Sequence, residues 1–199
     1  ERYPSAVRNT NYARGFADSL GTFKADPRLE ADTVEGAELR AEAGNYLNRH
    51  GRAEFNIPGI TFGTRYGNSP IIVSDGTTPP PDQANVYQPT ACPGGRAPHL
   101  WLEQNDGQKI SLYDLFGTDF TLLCFDGATE DMVNPIKSAA KSGGLPLLAV
   151  KVPGEEARAL YEANLALIRP DQIVAWRGIQ LPNELGDLIS VSSGRQISK

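Results

Sequence analysis

Four short apolar runs in the second half of the chain constrain its fold most. They lie at 119–125, 145–152, 165–169 and 173–177. Each is shorter than a core helix needs, rich in Leu, Ile, Val, Phe or Ala, and bounded by turn residues, so each reads as a buried strand. Residues 129–141 between the first two have helical spacing, and Gly143-Gly144 closes them as glycine closes a helix. Residues 154–162 form a shorter helix, and residues 182–191 a last one. Only Pro170-Asp171-Gln172 separates the final two runs, which makes them an antiparallel hairpin.

Strand, helix, strand, helix, strand, strand, helix is an order with a parallel crossover first and a hairpin last. That is the thioredoxin-like order. Ahead of it, Leu100-Trp101-Leu102 reads as a short strand, Asn105-Asp106-Gly107 as a turn, and Ser111 to Gly117 as one helical turn. The first half differs. Residues 4–24 carry apolar residues at helical spacing, with Pro4 in the first turn. Residues 33–50 read as a helix, with Asp32 as N-cap, Glu35 reaching back and Gly51 as C-cap. Residues 60–66 and 70–74 read as a short strand pair around Gly67-Asn68-Ser69. The fold class is therefore α/β: a thioredoxin-like C-terminal domain over 92–199, preceded by a helical segment with a short strand pair over 1–76. Thr77 to Ala91, with three consecutive prolines, is a stiff linker between them.

Composition excludes some functions. The net charge is −5, from 19 Lys+Arg against 24 Asp+Glu, with no basic block, so a general nucleic-acid binder is not expected. No apolar run reaches the ~20 residues of a membrane helix. The chain opens on Glu1, with no signal-peptide pattern behind it. It reads as a processed product or a piece of a longer protein, cytoplasmic, with no membrane partner.

Chemistry-bearing motifs are sparse. There is no Gly-x-Gly-x-x-Gly turn and no Gly-x-x-x-x-Gly-Lys phosphate loop. Cys92 and Cys124 form no CxxC. Cys124 lies inside a strand and reads as a buried apolar thiol, whereas Cys92, ahead of Pro93-Gly94-Gly95, reads as a more exposed loop residue. His50 falls at a helix end, where dipole and solvent account for it. His99 and Arg96 precede a core strand and read as residues that bond backbone or an adjoining domain surface. Asp126, Glu130 and Asp131 gather at a helix N-terminus, where the dipole accounts for them. Two separated histidines and two separated cysteines give no zinc spacing. Trp101, Trp176, Phe120, Phe125 and Tyr161 read as core. Redox chemistry in this fold needs a low-pKa cysteine at the helix that follows the first strand. Asp126-Gly127-Ala128-Thr129 stands there instead.

Several segments resemble the flavin-dependent aromatic hydroxylases of the phenol hydroxylase type. Glu1-Arg2-Tyr3-Pro4-Ser5-Ala6 is similar to that family's Glu-Arg-Arg-Pro-Val-Ala element, and Arg65-Tyr66 with Ser69-Pro70-Ile71-Ile72-Val73 to its RY-x-x-SP segment. Tyr87 to Leu102 is similar to its Y-x-P-T-A-R-P-G-x-R-A-P-H-x-W-L stretch, with Cys92 in place of the usual Arg. Ser111 to Leu123 and Leu167 to Arg177 match two further blocks. The resemblance implies the C-terminal region of an enzyme that uses FAD and NAD(P)H to place one atom of O₂ on a phenolic ring. It implies that the FAD is bound by a part preceding Glu1. It also implies that the thioredoxin-like domain lacks redox cysteines and serves stability and subunit contacts, with the remainder of the parent chain and a second copy as partners. No catalytic, cofactor-binding or metal residue is carried over. Arg65, Tyr66, Arg96 and His99 are the expected interdomain or subunit contacts. A free-standing thioredoxin-like binding or redox module is the alternative, and a peroxide-consuming enzyme using Cys92 a weaker one. Apolar residues in 4–24 and 60–73 are expected to be exposed and to drive self-association.

Overall fold

The computed structural model describes residues 3–21, 23–104 and 106–195. Glu1 and Arg2 of the first family-like element, and Asn105 of the expected turn, lie outside the described residues. Internal packing divides the chain into two compact units, one of residues 3–63 with 82–87, the other of residues 64–81 with 88–195. Residues 64–76, grouped by sequence with the helices, pack with the second unit.

The first unit is helical. Helix α1 spans Tyr3–Leu20, shorter than the expected 4–24. A 3₁₀ turn at Pro27–Glu30 is capped by the Asp26 side chain, and α2 spans Val34–Phe55. The cap of α2 is Thr33, whose hydroxyl accepts from Gly36 N at 3.1 Å. Asp32 is not the cap, and Glu35 pairs with Arg28 instead of closing a capping box. Gly51 does not end the helix. Arg52 Nε donates to Asn48 Oδ1 at 3.0 Å across it, and the end comes at Asn56, just ahead of Pro58.

Helix α3, Pro58–Phe62, replaces the first strand of the expected pair. Proline at its first position, with Thr61 N and Gly63 N bonding back to Ile57 O and Gly59 O, favours a helical turn. Gly59 is required here: a Cβ would lie 1.7 Å from Gln83 O, because the 83–86 turn sits directly on its backbone. His50 is not a solvated helix-end residue; its ring lies 4.0 Å from that of Phe16 and 5.8 Å from that of Tyr46. Among the described residues of this unit only Ser5, Gly36 and Gly59 are buried. None of the described apolar side chains there is buried, and Tyr3, Val34 and Phe55 are about four-fifths exposed.

The second unit is built on a sheet. Strands β1 (Trp101–Glu103) and β2 (Lys109–Ser111) form a hairpin, and a 3₁₀ turn at Leu112–Leu115 follows, closed by a Ser111/Asp114 capping box. The main elements are β3 (Phe120–Phe125), α4 (Glu130–Ser142), β4 (Leu147–Val152), α5 (Glu155–Tyr161), β5 (Leu165–Ile168), β6 (Val174–Gly178) and α6 (Leu185–Ser192). Strand order is β4-β3-β5-β6. β3 runs parallel to β4 and antiparallel to β5, and β5 antiparallel to β6. This is the thioredoxin-like arrangement, in an α/β domain.

The pleat of β3 divides its side chains between two cores. Leu123 and Phe125 pack with Leu112, Tyr161, Ile168 and Val174 on one face. Leu122 and Cys124 pack with Ile136, Leu167, Trp176 and Leu188 on the other. Trp101 belongs to neither: β1 alternates, so Leu102 is buried and Trp101 is 62% exposed. The second expected strand, 70–74, forms no ladder of its own. Val73 N instead donates to Ala175 O at 2.9 Å, at the outer edge of β6. Gly94 N and Gly95 O both bond Val174 further along that edge. Residues 64–81 and 88–97 thus strap and cover one edge of the sheet.

Candidate functional site

In open α/β sheets, ligands favour the carboxyl ends of parallel strands. Here a cleft of about 490 Å³ runs from the ends of β3 and β4 along α4, lined by Cys124, Asp126, Gly127, Glu130, Lys137 and Lys151 among others. Gly127, at φ 104°, turns the chain from β3 into α4. A Cβ there would lie 2.7 Å from Asn164 Oδ1, whose amide donates to Ile179 O and whose oxygen accepts from Arg158 Nε. Thr129 occupies the N-cap of α4 without a side-chain cap bond, and Glu130 and Asp131 fill the first turn.

This cleft favours the neutral thiol of Cys124. Burial pushes the Cys124 thiol up, the Glu130 carboxylate adds to that, and Lys151 and Lys137 only partly oppose it. Both cysteines are free. Cys92 is buried rather than loop-exposed, at 4%, because the 92–95 turn is pinned to β6; its sulfur lies 3.2 Å from the Thr77 hydroxyl. Among the described residues no three His, Cys, Asp or Glu side chains gather as a metal site. The turn into α4 also does not fit a flavin dinucleotide. It has one glycine where the pyrophosphate turn needs several, and two carboxylates where phosphate would sit.

The four expected contact residues fall in two places. Arg65 Nη1 donates to Pro80 O. Tyr66 is buried; its hydroxyl donates to Asp171 Oδ2 at 2.6 Å, and the Arg169 guanidinium lies 6.0 Å from its ring. Arg96 and His99 meet around Tyr113. The Arg96 guanidinium is 5.1 Å from the ring centroid and donates to Gln172 Oε1 at 3.3 Å. Exposed His99 has Nε2 2.9 Å from Ser111 Oγ and stands edge-on to Tyr113 and Trp101. Burial raises the Tyr113 phenol, and Arg96 partly offsets this.

A third cluster has no counterpart in the sequence reading. Arg177, 5% exposed, sends Nε to Asp75 Oδ2 at 2.7 Å, Nη1 to Tyr161 O at 2.9 Å and Glu162 Oε2 at 3.0 Å, and Nη2 to Thr77 Oγ1 at 3.3 Å. Burial alone would raise the Asp75 carboxyl. The Thr77 and Arg177 hydrogen bonds and the guanidinium charge together hold it below the usual aspartate value. The cluster borders a pocket of about 460 Å³ with Thr90, Cys92 and Leu160. Its signal in the sequence is a charged residue ending the apolar run Val174-Ala175-Trp176. A buried arginine needs carboxylate partners, but sequence does not say which.

Comparison with known proteins covers both units. The profile described as aromatic-ring hydroxylase, C-terminal, matches residues 90–193. The chain is 32% identical to FAD-dependent monooxygenase apdD of Emericella nidulans over 98% of its own length and 32% of the relative's. It is also 32% identical to phenol 2-monooxygenase of a Pseudomonas species, over 89% of its own length and 34% of that protein's. Among solved structures, native and K252c-bound RebC-10x superposes with a TM-score of 0.85 and 37% identity, over 98% of this chain and 36% of that one. The chain spans about a third of the length of the curated relatives it matches.

Proposed function

The chain belongs to the aromatic-ring hydroxylase C-terminal family, and from that premise we propose that it is the C-terminal portion of a FAD-dependent monooxygenase acting on phenolic or related aromatic substrates. In this reading O₂ and NAD(P)H are the co-substrates. FAD is held by the remainder of the parent polypeptide, and the portion described here is scaffold rather than catalyst. The observation that carries the reading is the match of 98% of the chain to one third of a FAD-dependent monooxygenase. Two features of the chain support the scaffold role. The thiol nearest the fold's usual redox position is pushed up rather than down. The helical unit buries no apolar side chain among its described residues, and helices of this length owe most of their stability to a buried face. Further polypeptide packed on α1 and α2 would supply that burial.

The test compares the 199-residue chain with the product of its full native gene. The 199-residue chain is expected to purify colourless and to leave the fluorescence of added FAD unquenched. The longer product is expected to carry flavin absorbance and to oxidise NAD(P)H faster when a phenol is added. A yellow 199-residue protein would overturn the scaffold assignment. A longer product without flavin would overturn the monooxygenase reading.

A further inference from the structure

We propose that residues 74–79 form a flap over Cys92 that opens while the sheet stays folded. Asp75 is its latch on Arg177, and Glu162 keeps Arg177 paired when the flap is open. This inference rests on contacts inside the second unit and is independent of the flavin reading above.

The segment is anchored at both ends and not in the middle. Ahead of it, Tyr66 N donates to Gly94 O and Val73 N to Ala175 O, both at 2.9 Å. Tyr66 and Ser69 are buried, and Val73 packs on the core face that holds Trp176. Behind it, Pro80 O accepts from Arg65 Nη1. No residue from 74 to 79 is buried. Among the described residues, no backbone–backbone hydrogen bond involves 74–79. Gly76 N and Thr77 N donate within the segment, to Ser74 Oγ and Asp75 Oδ1. Outside itself the segment meets Arg177 and Cys92. Asp75 Oδ2 accepts from Arg177 Nε at 2.7 Å, and Thr77 Oγ1 from Arg177 Nη2 at 3.3 Å. Cys92 Sγ lies 3.2 Å from Thr77 Oγ1. A stretch held by two side chains, with no ladder and no buried residue, opens at lower free energy than the sheet beneath it.

A latch on a buried cation ordinarily holds fast, because releasing it strands the charge. Arg177 has a second carboxylate that removes this penalty. Its Nη1 donates to Tyr161 O at 2.9 Å and to Glu162 Oε2 at 3.0 Å. Tyr161 and Glu162 end α5 and stay with the sheet when the flap moves. With the flap closed, Asp75 already neutralises the guanidinium, and Glu162 adds little. With the flap open, Glu162 is the carboxylate that remains. Its side chain is 72% exposed, so it is able to adjust to the guanidinium. Arg177 passes from two carboxylates to one and is never left unpaired. Glu162 therefore favours the open state over the closed one. Opening uncovers the Cys92 thiol and widens the pocket of about 460 Å³ that Thr77, Thr78 and Cys92 line.

Iodoacetamide labelling of the whole 199-residue chain, with Cys92 followed by peptide mass, tests this. Cys92 is expected to label slowly, yet faster than global unfolding permits. Its rate should be nearly flat in urea below the unfolding transition, because a small opening exposes little surface. Asp75→Asn is expected to speed labelling about tenfold or more, through loss of a charge-assisted bond. The same flat urea dependence in that variant separates a looser flap from a less stable sheet. Glu162→Gln keeps the side chain's shape and is expected to slow labelling about two- to fivefold. An ion pair that merely stabilised the closed chain would act in the opposite direction. The proposal is overturned by a Cys92 rate that rises with urea as steeply as global unfolding. It is equally overturned by an Asp75→Asn rate equal to wild type, or by a Glu162→Gln rate equal to or above it.

Discussion

Replacing Arg177 by methionine tests how far a buried ion pair holds the 64–81 part of the strap to the sheet. Methionine keeps most of the volume and removes the charge. The guanidinium makes four hydrogen bonds at 5% exposure, two of them to Asp75 and Thr77 on the strap. Removing one partner of a buried pair costs about 3–5 kcal/mol. Two features place this case at the lower end. The Asp75 side chain keeps 17% exposure and its bonds from Thr77 N and Thr77 Oγ1. The second carboxylate, on Glu162, is 72% exposed and contributes at most ~1 kcal/mol. The expected loss is therefore about 3 kcal/mol at neutral pH. The assay is urea unfolding in a Trp101→Phe background, which leaves buried Trp176 on β6 as reporter. The pH dependence has a defined sign. The folded-state pKa of Asp75 is depressed, so its stabilisation is present above the ordinary aspartate value of about 4 and is lost as pH falls through the lower folded value. The gap between wild type and Asp75→Asn should accordingly be widest at neutral pH and close on acidification. A loss under about 1 kcal/mol for Arg177→Met, or an Asp75→Asn gap that stays constant into acid, would refute the reasoning.

Three further outcomes follow from the packing. Leu123→Ala, at a fully buried position in the central strand, should cost about 2–5 kcal/mol, read from the same urea midpoint. Gly59→Ala forces a Cβ against the backbone oxygens of Gln83 and Val86; a loss of roughly 1–3 kcal/mol and faster hydrogen exchange over 82–87 are expected. Both cysteines are buried, so alkylation at neutral pH should be slow in the native chain and complete within minutes in denaturant. Rapid native labelling of Cys92 would count against its burial against Thr77.

The sheet of the second unit is legible in the sequence because its central strands are continuous apolar runs, buried along their length and separated by unambiguous turns. The misread elements are those where two patterns coincide. Ile60 and Phe62 alternate like a strand, yet in five residues alternation and helical spacing cannot be told apart, and Pro58 decides for the helix. Asp32 and Thr33 are both good caps, and only the reach of the Thr33 hydroxyl to Gly36 N separates them. Gly51 looks like a terminator, but a glycine flanked by strong helix formers is tolerated at about 1 kcal/mol, and the stop belongs to the Asn56-Ile57-Pro58 step. Trp101 and Cys92 are misplaced for one reason: their burial is set by contacts distant in sequence. β1 presents Trp101 outward, and the Thr77 segment closes over Cys92.

The cleft at the start of α4 shows where fold and chemistry separate. The geometry that lets a thioredoxin-like domain hold a thiolate is present: a parallel strand end, a positive-φ turn and an uncapped helix N-terminus. A helix dipole at such a position stabilises one negative charge within its first turn. Here Glu130 and Asp131 already supply two. A thiolate added beside them would be pushed up by like charge, as Glu130 already adds to the effect of burial on Cys124. The acidic turn therefore argues against redox use of this helix end independently of the missing CxxC, since restoring a cysteine at Thr129 alone would not restore a low pKa. The same carboxylates repel a dinucleotide phosphate.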